Sequence, residues 1–302
     1  MKRMFRFSSL LVVAVSIAGG KGEATADTRV VETVQGKYGR LEVLELKGMR
    51  ILTCDGVIQT AAPAAGADLL PGSLIRARDY VELVAFYRPR ARTALLLGLG
   101  GGLHTRSLVC HGITVHAVDI EPAVMPLARK HFGFTGEATV ADGREFLDRT
   151  DRRFDAIVLD VFQGGAVPKQ LYTKEAFARI RQCLTNDGVL AVHLVSRPRH
   201  PATAAVAHTL TTVFPHIVAL QSGLGNEIQH IYFLAAPSRL ELTSRQRLKL
   251  DAFGFTGDEF FTPDRKAGPL LTDRRTNLDE LCRDLAAEHH RRSLDILRSP
   301  PW

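Results

Sequence analysis

What is scarce in this 302-residue chain narrows its chemistry before any motif is read. It has four cysteines, Cys54, Cys110, Cys183 and Cys282, far apart and without C-x-x-C spacing, which argues against a thiolate zinc site. Cys110 and Cys183 fall in apolar, helix-like segments and are expected in the core. In an exported chain two of the four could pair, and their spacing does not select which. His111, His116, His216 and His230 show no metal-ligand spacing, so no metal is expected. The absence of a Gly-x-Ser-x-Gly elbow removes the usual serine hydrolases. The formal charge is +7, yet no block of Lys and Arg alternates with aromatics, and nucleic acid is not an expected partner. Beyond residue 26 no segment is apolar for long enough to cross a bilayer.

Residues 1–26 carry +3 of that charge and have the form of a secretory signal. Lys2, Arg3 and Arg6 make a basic start, Phe7–Ala18 is apolar or small, and Ala24-Thr25-Ala26 fits a small-x-small cleavage site. Leu10–Ala18 would reach only about 14 Å as a helix, against a bilayer core of roughly 30 Å. The expectation is an exported or periplasmic protein with no membrane span after processing; a cytoplasmic chain with a disordered leader is the alternative. Three further segments are expected: a β-hairpin domain at 27–73, a nucleoside-binding domain at 74–237 and a charged, partly helical extension at 238–302. In the first of these, Leu41, Val43, Leu44 and Leu46, then Met49, Ile51 and Leu52, read as strands divided by Lys47-Gly48. Asp55-Gly56 marks a second turn.

From residue 93 onward apolar runs alternate with helical periodicity. Strands are expected at Ala94–Leu99, Thr114–Ile120, Ala138–Ala141, Phe154–Asp160, Val189–Val195, His216–Leu220 and Gln229–Ala235. The last is entered by a tight Ser222–Asn226 turn, giving an antiparallel final pair. The fold class is therefore α/β: a Rossmann-like, seven-stranded sheet of the S-adenosylmethionine-methyltransferase type, preceded by a small antiparallel β domain. An all-parallel dinucleotide-binding sheet, and hydride transfer with it, is disfavoured.

The most informative stretch runs from Leu95 into Gly98, Gly100, Gly101 and Gly102, followed 17 residues later by Asp119 at the end of the next strand. Glycines let a ligand approach the backbone closely, and an acid after the second strand can accept both ribose hydroxyls. Asp142, before Gly143, ends the third strand and suits an adenine amino group. Asp160 ends the fourth and would face the reacting centre. His104, which opens the helix after the glycines, either lies near the ligand or serves as a surface or capping residue, and His193, inside an apolar strand, reads as a core residue. Tyr38 and Gln59 either reach the site from the β domain or pack within its hairpins.

Together these segments resemble the spermidine synthase family, the polyamine aminopropyltransferases. The resemblance is carried by Leu97–Gly102, Val118-Asp119-Ile120-Glu121-Pro122, Ala141–Leu147 and Phe154–Asp160. Upstream, Cys54-Asp55-Gly56-Val57-Ile58-Gln59 is similar to the family's Asp-Gly-x-x-Gln hairpin, and Tyr80-Val81-Glu82 to its Tyr-His-Glu. It implies decarboxylated S-adenosylmethionine as co-substrate, no tightly bound cofactor, a small-molecule amine such as putrescine as acceptor, and a homodimer or homotetramer. It also implies donor binding by the glycine loop, Asp119, Asp142 and Gly143. Asp160 would be the catalytic acid/base, and Tyr38, Gln59, Tyr80, Glu82 and Gln163 would line the acceptor side. Several positions depart from the family pattern. Gly101 and Gln163 replace acids, Gly39 a Gln and Val81 a His, while Lys169 adds a cation after the fourth strand. The segment Asp160–Thr173, together with Leu271-Thr272-Asp273 and Asn277-Leu278-Asp279, looks closer to a divergent spermidine synthase-like branch. Methyl transfer from intact S-adenosylmethionine and a non-catalytic nucleoside- or polyamine-binding role remain the alternatives.

Overall fold

The computed structural model describes residues 28–64, 76–162, 167–223, 225–252, 257–265 and 267–299. The signal-like segment and Gln163 lie outside these residues. Four strands come first: β1 (Arg29–Gln35), β2 (Arg40–Leu46), β3 (Met49–Cys54) and β4 (Val57–Pro63), an antiparallel sheet in chain order. Lys47 and Gly48 join β2 to β3 at φ 48° and 77°, and Asp55 and Gly56 join β3 to β4 at φ 49° and 78°. Two left-handed residues in a row give the turn whose twist matches the flanking strands, which is why both hairpins were legible as turn dipeptides. Leu44, Leu46, Met49 and Ile51 cluster on one face, whereas Leu41, Val43 and Leu52 join the larger core. The small sheet is therefore pinned against the rest of the molecule by the alternate side chains of its middle strands.

The chain continues through α1 (Arg76–Tyr87), β5 (Thr93–Leu97), α2 (Leu103–Cys110), β6 (Thr114–Asp119), α3 (Val124–Phe132) and β7 (Glu137–Val140). Next come α4 (Gly143–Arg149), β8 (Phe154–Leu159), α5 (Lys174–Cys183), β9 (Leu184–Ser196), α6 (Pro201–Thr211), β10 (His216–Gln221) and β11 (Gln229–Ala236). The second sheet is parallel through β9-β8-β5-β6-β7 and antiparallel where β11 and β10 extend it. Leu95, Leu96 and Leu97 of the central strand are fully buried, as expected of a parallel strand covered on both faces. Such burial contributes about 1.5–3 kcal/mol per side chain. The chain leaves β5 toward β6 and β7, then returns to β8 on its other side, so the carboxyl ends of β5 and β8 flank a topological switch point.

The charged extension supplies α7 (Ser244–Ala252), β12 (Phe260–Phe261), α8 (Leu278–Leu281) and α9 (Arg283–Arg298). β12 pairs with β10, which makes the sheet eight-stranded rather than seven-stranded. Two residues carry no alternation, so periodicity has nothing to register there. Helix α9 lies over β4 and β9. The Ser293 hydroxyl accepts from Ile58 N–H at 3.3 Å, and Arg292 donates to the Ile228 carbonyl at 2.9 Å. All four cysteines are free thiols. Cys183 is buried as expected, but Cys110 is exposed, because it is the last residue of α2 and that turn leaves the sheet. Among the described residues no helix is long and apolar enough to cross a membrane.

Candidate active site

The strand ends at the switch point open onto one cavity, and Asp119, Asp142 and Asp160 all line it. Gly98 leaves β5 at φ 93°, and a Cβ there would sit 1.9 Å from the Asp160 carbonyl oxygen. The two strand ends meet too closely for any side chain. Asp119 Oδ2 accepts from Leu99 N–H at 2.8 Å and its Oδ1 from Glu121 N–H at 2.9 Å. A carboxylate offers about four lone-pair sites, so bracing the glycine loop leaves capacity for ribose hydroxyls. Burial pushes the Asp119 carboxyl above its ordinary range, against the pull of the Glu121, Leu99 and Gly100 N–H groups. Asp142 both lines the cavity and caps α4, with Oδ1 accepting from Arg144 N–H at 2.7 Å and Glu145 N–H at 3.1 Å.

The glycine loop divides between two tasks. Gly98 and Gly100 line the cavity, as does Gly143, but Gly101 and Gly102 do not. Gly101 N–H donates to Thr60 Oγ1 of β4 at 2.8 Å, and a Cβ on Gly101 would lie 2.5 Å from Thr60 Cγ2. Gly102 takes φ 79° at the start of α2 and packs on Phe134. Gly101 is thus held against the β domain and Gly102 against Phe134, and neither of these expected donor-binding glycines lines the cavity.

Asp160 sits between two imidazoles. His104 Nε2, from the first turn of α2, is 2.9 Å from Asp160 Oδ2, and His193 Nδ1, on β9, is 2.5 Å from Oδ1. His193 Nε2 in turn lies 2.8 Å from His230 Nδ1. The register of β9 with β11 explains the meeting. Tyr232 stands opposite His193, so His230, two residues away, projects from the same face. Tyr80, Tyr232 and His193 form a stacked column, with centroids 4.2 Å apart for the first pair and 4.6 Å for the second. His289 of α9 completes that wall of the cavity. Burial alone would raise the Asp160 carboxyl, but the charge of His193 and the hydrogen bonds from His104 and His193 outweigh it and hold the group far below its ordinary range. Burial, reinforced by the charge of His193, keeps His230 well below the ordinary histidine value.

Burial also pushes His289 down to about 4, with His193, Arg292 and His290 adding to the effect. The unfolded chain therefore takes up this proton first, and stability falls as pH drops from about 6.5 toward 4. In His289→Gln that loss should be shallower by about one proton, a difference of roughly 2 kcal/mol near pH 4.5, read from urea unfolding at several pH values.

Tyr38 and Gln59 line the cavity from the β domain. Tyr38 N–H donates to Glu121 Oε2 at 2.8 Å, and Gln59 Nε2 donates to the Val57 carbonyl at 3.3 Å. Tyr80 and Glu82, expected on the acceptor side, do not line it. The Tyr80 hydroxyl donates to the Gln221 carbonyl at 3.0 Å, and Glu82 accepts from the Ser107 hydroxyl at 2.5 Å. Tyr80 is turned to β11, where it stacks on Tyr232, and Glu82 to α2. Lys169, the added cation, pairs with Asp279 at 2.9 Å. His104, for which one of two readings was a place near the ligand, lies on the cavity wall, and the residues missed by sequence reasoning are His193, His230, His289 and Glu121, on the same wall. A usable signal existed for two of them: His193 and His230 each interrupt an otherwise apolar strand, and a buried polar ring needs a partner.

The profile of the spermine/spermidine synthase domain matches residues 75–215, the stretch holding the glycine loop, Asp119, Asp142 and Asp160. Those residues, just under half of the chain, are similar to a spermine/spermidine synthase domain. The family resemblance of its motifs is thereby borne out. The synthase-like chain is 34% identical over 137 residues to the N-terminal histidine N-methyltransferase of Emericella nidulans, a match covering 42% of this chain and 25% of that protein. It is 27% identical over 237 residues to the probable polyamine aminopropyl transferase of Bifidobacterium longum, covering 76% of this chain and 52% of that one. It thus spans about a quarter and about half of these curated relatives. The crystal structure of a probable spermidine synthase from Corynebacterium glutamicum superposes with a TM-score of 0.65 at 16% identity, over 86% of this chain and 94% of that one. That likeness is one of fold.

Proposed function

We propose that this chain moves an alkyl group from the sulfonium of an S-adenosyl donor to an amine nitrogen, and that the group is aminopropyl, taken from decarboxylated S-adenosylmethionine. The observation that carries the reading is the arrangement of Asp119, Asp142 and Asp160 around a single cavity at the switch point. Asp119 would hold the donor ribose, Asp142 and Gly143 the adenine, and Asp160 the reacting end. The nitrogen lone pair attacks the carbon bound to sulfur, the carbon–sulfur pair leaves on a neutral thioether, and the nitrogen sheds a proton. Holding both reactants in line can supply several kcal/mol of the barrier, and assisted proton removal a further 10²–10⁴ or so in rate. The relatives named as aminopropyl transferases support the choice of group.

A second reading, methyl transfer from intact S-adenosylmethionine, is favoured by the name of the Emericella relative, an N-methyltransferase. Calorimetry with the two donors, followed by mass analysis of products from putrescine and an amine panel, separates them. Preference of at least about tenfold for the decarboxylated donor, with spermidine formed, is the expected result. The reverse preference with a methylated amine establishes the second reading, and binding of neither donor overturns both.

A further inference from the structure

We propose that Asp160, His193 and His230 form a relay that removes the acceptor's proton, with His230 receiving it and His193 holding it at the end of the step. The proposal rests on the alkyl-transfer reading and assigns the groups that make the nitrogen nucleophilic.

The geometry leaves little choice of base. Both Asp160 oxygens already accept from imidazoles, His104 at 2.9 Å and His193 at 2.5 Å, so this carboxylate is stabilised in its ionised form and takes up protons poorly. His193 has neither ring nitrogen to spare, because Nδ1 faces Asp160 and Nε2 faces His230. With Nδ1–H donating to Asp160, the neutral His193 offers a lone pair at Nε2, and His230 must donate to it through Nδ1–H. That tautomer places the free lone pair of the chain of rings on His230 Nε2, and His230 lines the cavity. Burial keeps His230 neutral at rest, as a proton acceptor must be.

The step balances without any further reactant. As the acceptor nitrogen bonds to the donor carbon, its N–H proton passes to His230 Nε2, and the Nδ1 proton of His230 passes to His193 Nε2. The carbon–sulfur pair leaves with sulfur. One positive charge disappears from the sulfonium, and one appears on His193 as an imidazolium beside the Asp160 carboxylate. The ring is held for this by the Tyr232 stack, by Phe162 edge-on at 5.0 Å, and by the Tyr172 hydroxyl, which donates to the His193 carbonyl at 3.0 Å. The titratable and charged groups facing the relay are His104 of α2, Tyr172, Tyr232 of β11, and His289 of α9 with Arg292 and His290 beside it.

Nitrogen-15 NMR of the histidine rings in the full chain tests this without turnover. His193 and His230 should titrate as one coupled step, and His230→Phe, which keeps a ring but no nitrogen, should shift the His193 Nε2 signal. In the turnover assay His230→Phe should cost about 10²–10⁴ in kcat at little change in KM, and the pH–rate profile should lose the rise that follows deprotonation of the relay. His230→Gln provides the same readouts should the Phe variant fold poorly. Independent titration of the two rings, or a wild-type pH–rate profile in both variants, overturns the relay. Failure of the alkyl-transfer reading shows instead as a wild-type chain that binds neither donor while its rings still titrate together.

Discussion

Asp160→Asn is expected to reduce turnover by about 10³-fold or more while leaving donor affinity within a few-fold of the unaltered protein. The substitution keeps the shape of the group and removes its charge. An amide can accept through one oxygen only, so His104 and His193 can no longer both donate to it, and its own NH₂ is aimed at one of the two rings. The imidazolium that should form on His193 during the reaction then has no anion beside it. On the proposed reading donor binding rests instead on Asp119, whose bonds to Leu99 and Glu121 the change does not touch. Leaving a buried imidazole N–H without its acceptor costs about 1–3 kcal/mol, so the melting temperature should fall too, and calorimetry must be run well below it. A drop in donor affinity as large as the drop in turnover would mean that Asp160 shapes the cavity rather than serving the chemistry.

The three acids were readable because each follows a strand whose apolar run is visible in one dimension, and strand ends at a switch point face one side. Lys47-Gly48 and Asp55-Gly56 were readable because left-handed turns restrict residue type. The histidine wall was not. His193 and His230 meet through the register of β9 on β11, His104 arrives from the helix on the other side of β5, and His289 comes from a helix deep in the charged extension. No local pattern encodes a contact between elements so far apart in sequence. The glycine loop misled in a different way, since four small residues in five positions say that something approaches closely without saying from which side. Gly98 and Gly100 face the cavity, whereas Gly101 and Gly102 serve Thr60 and Phe134. Tyr80 and Glu82 lie off the cavity wall for a related reason: a three-residue motif on α1 does not tell which face of the helix is turned to the cavity.

Gly98→Ala should abolish donor binding and lower stability by several kcal/mol, on the order of 3–5. Part of that loss is conformational, because φ 93° is a value that a residue with a Cβ adopts only under strain. The larger part is steric. The new methyl would overlap the Asp160 carbonyl oxygen at 1.9 Å, and backbone, unlike a side-chain tip, cannot swing aside. Gly98 N–H is bonded to Val118 O at 2.8 Å and Asp160 N–H to Leu97 O at 2.9 Å, so moving either segment breaks the stitching between three neighbouring strands. The same stitching sets where Asp119 and Asp160 point. Gly112→Ala is the matched comparison, with φ 74° but open space around the site of its Cβ, and it should lose only the strain, about 1 kcal/mol. Urea midpoints for the two variants, with donor calorimetry on each, separate strain from overlap. If Gly98→Ala lost no more stability than Gly112→Ala and still bound donor, the ends of β5 and β8 would have room between them, and the close approach that brings Asp160 to the cavity would not be required.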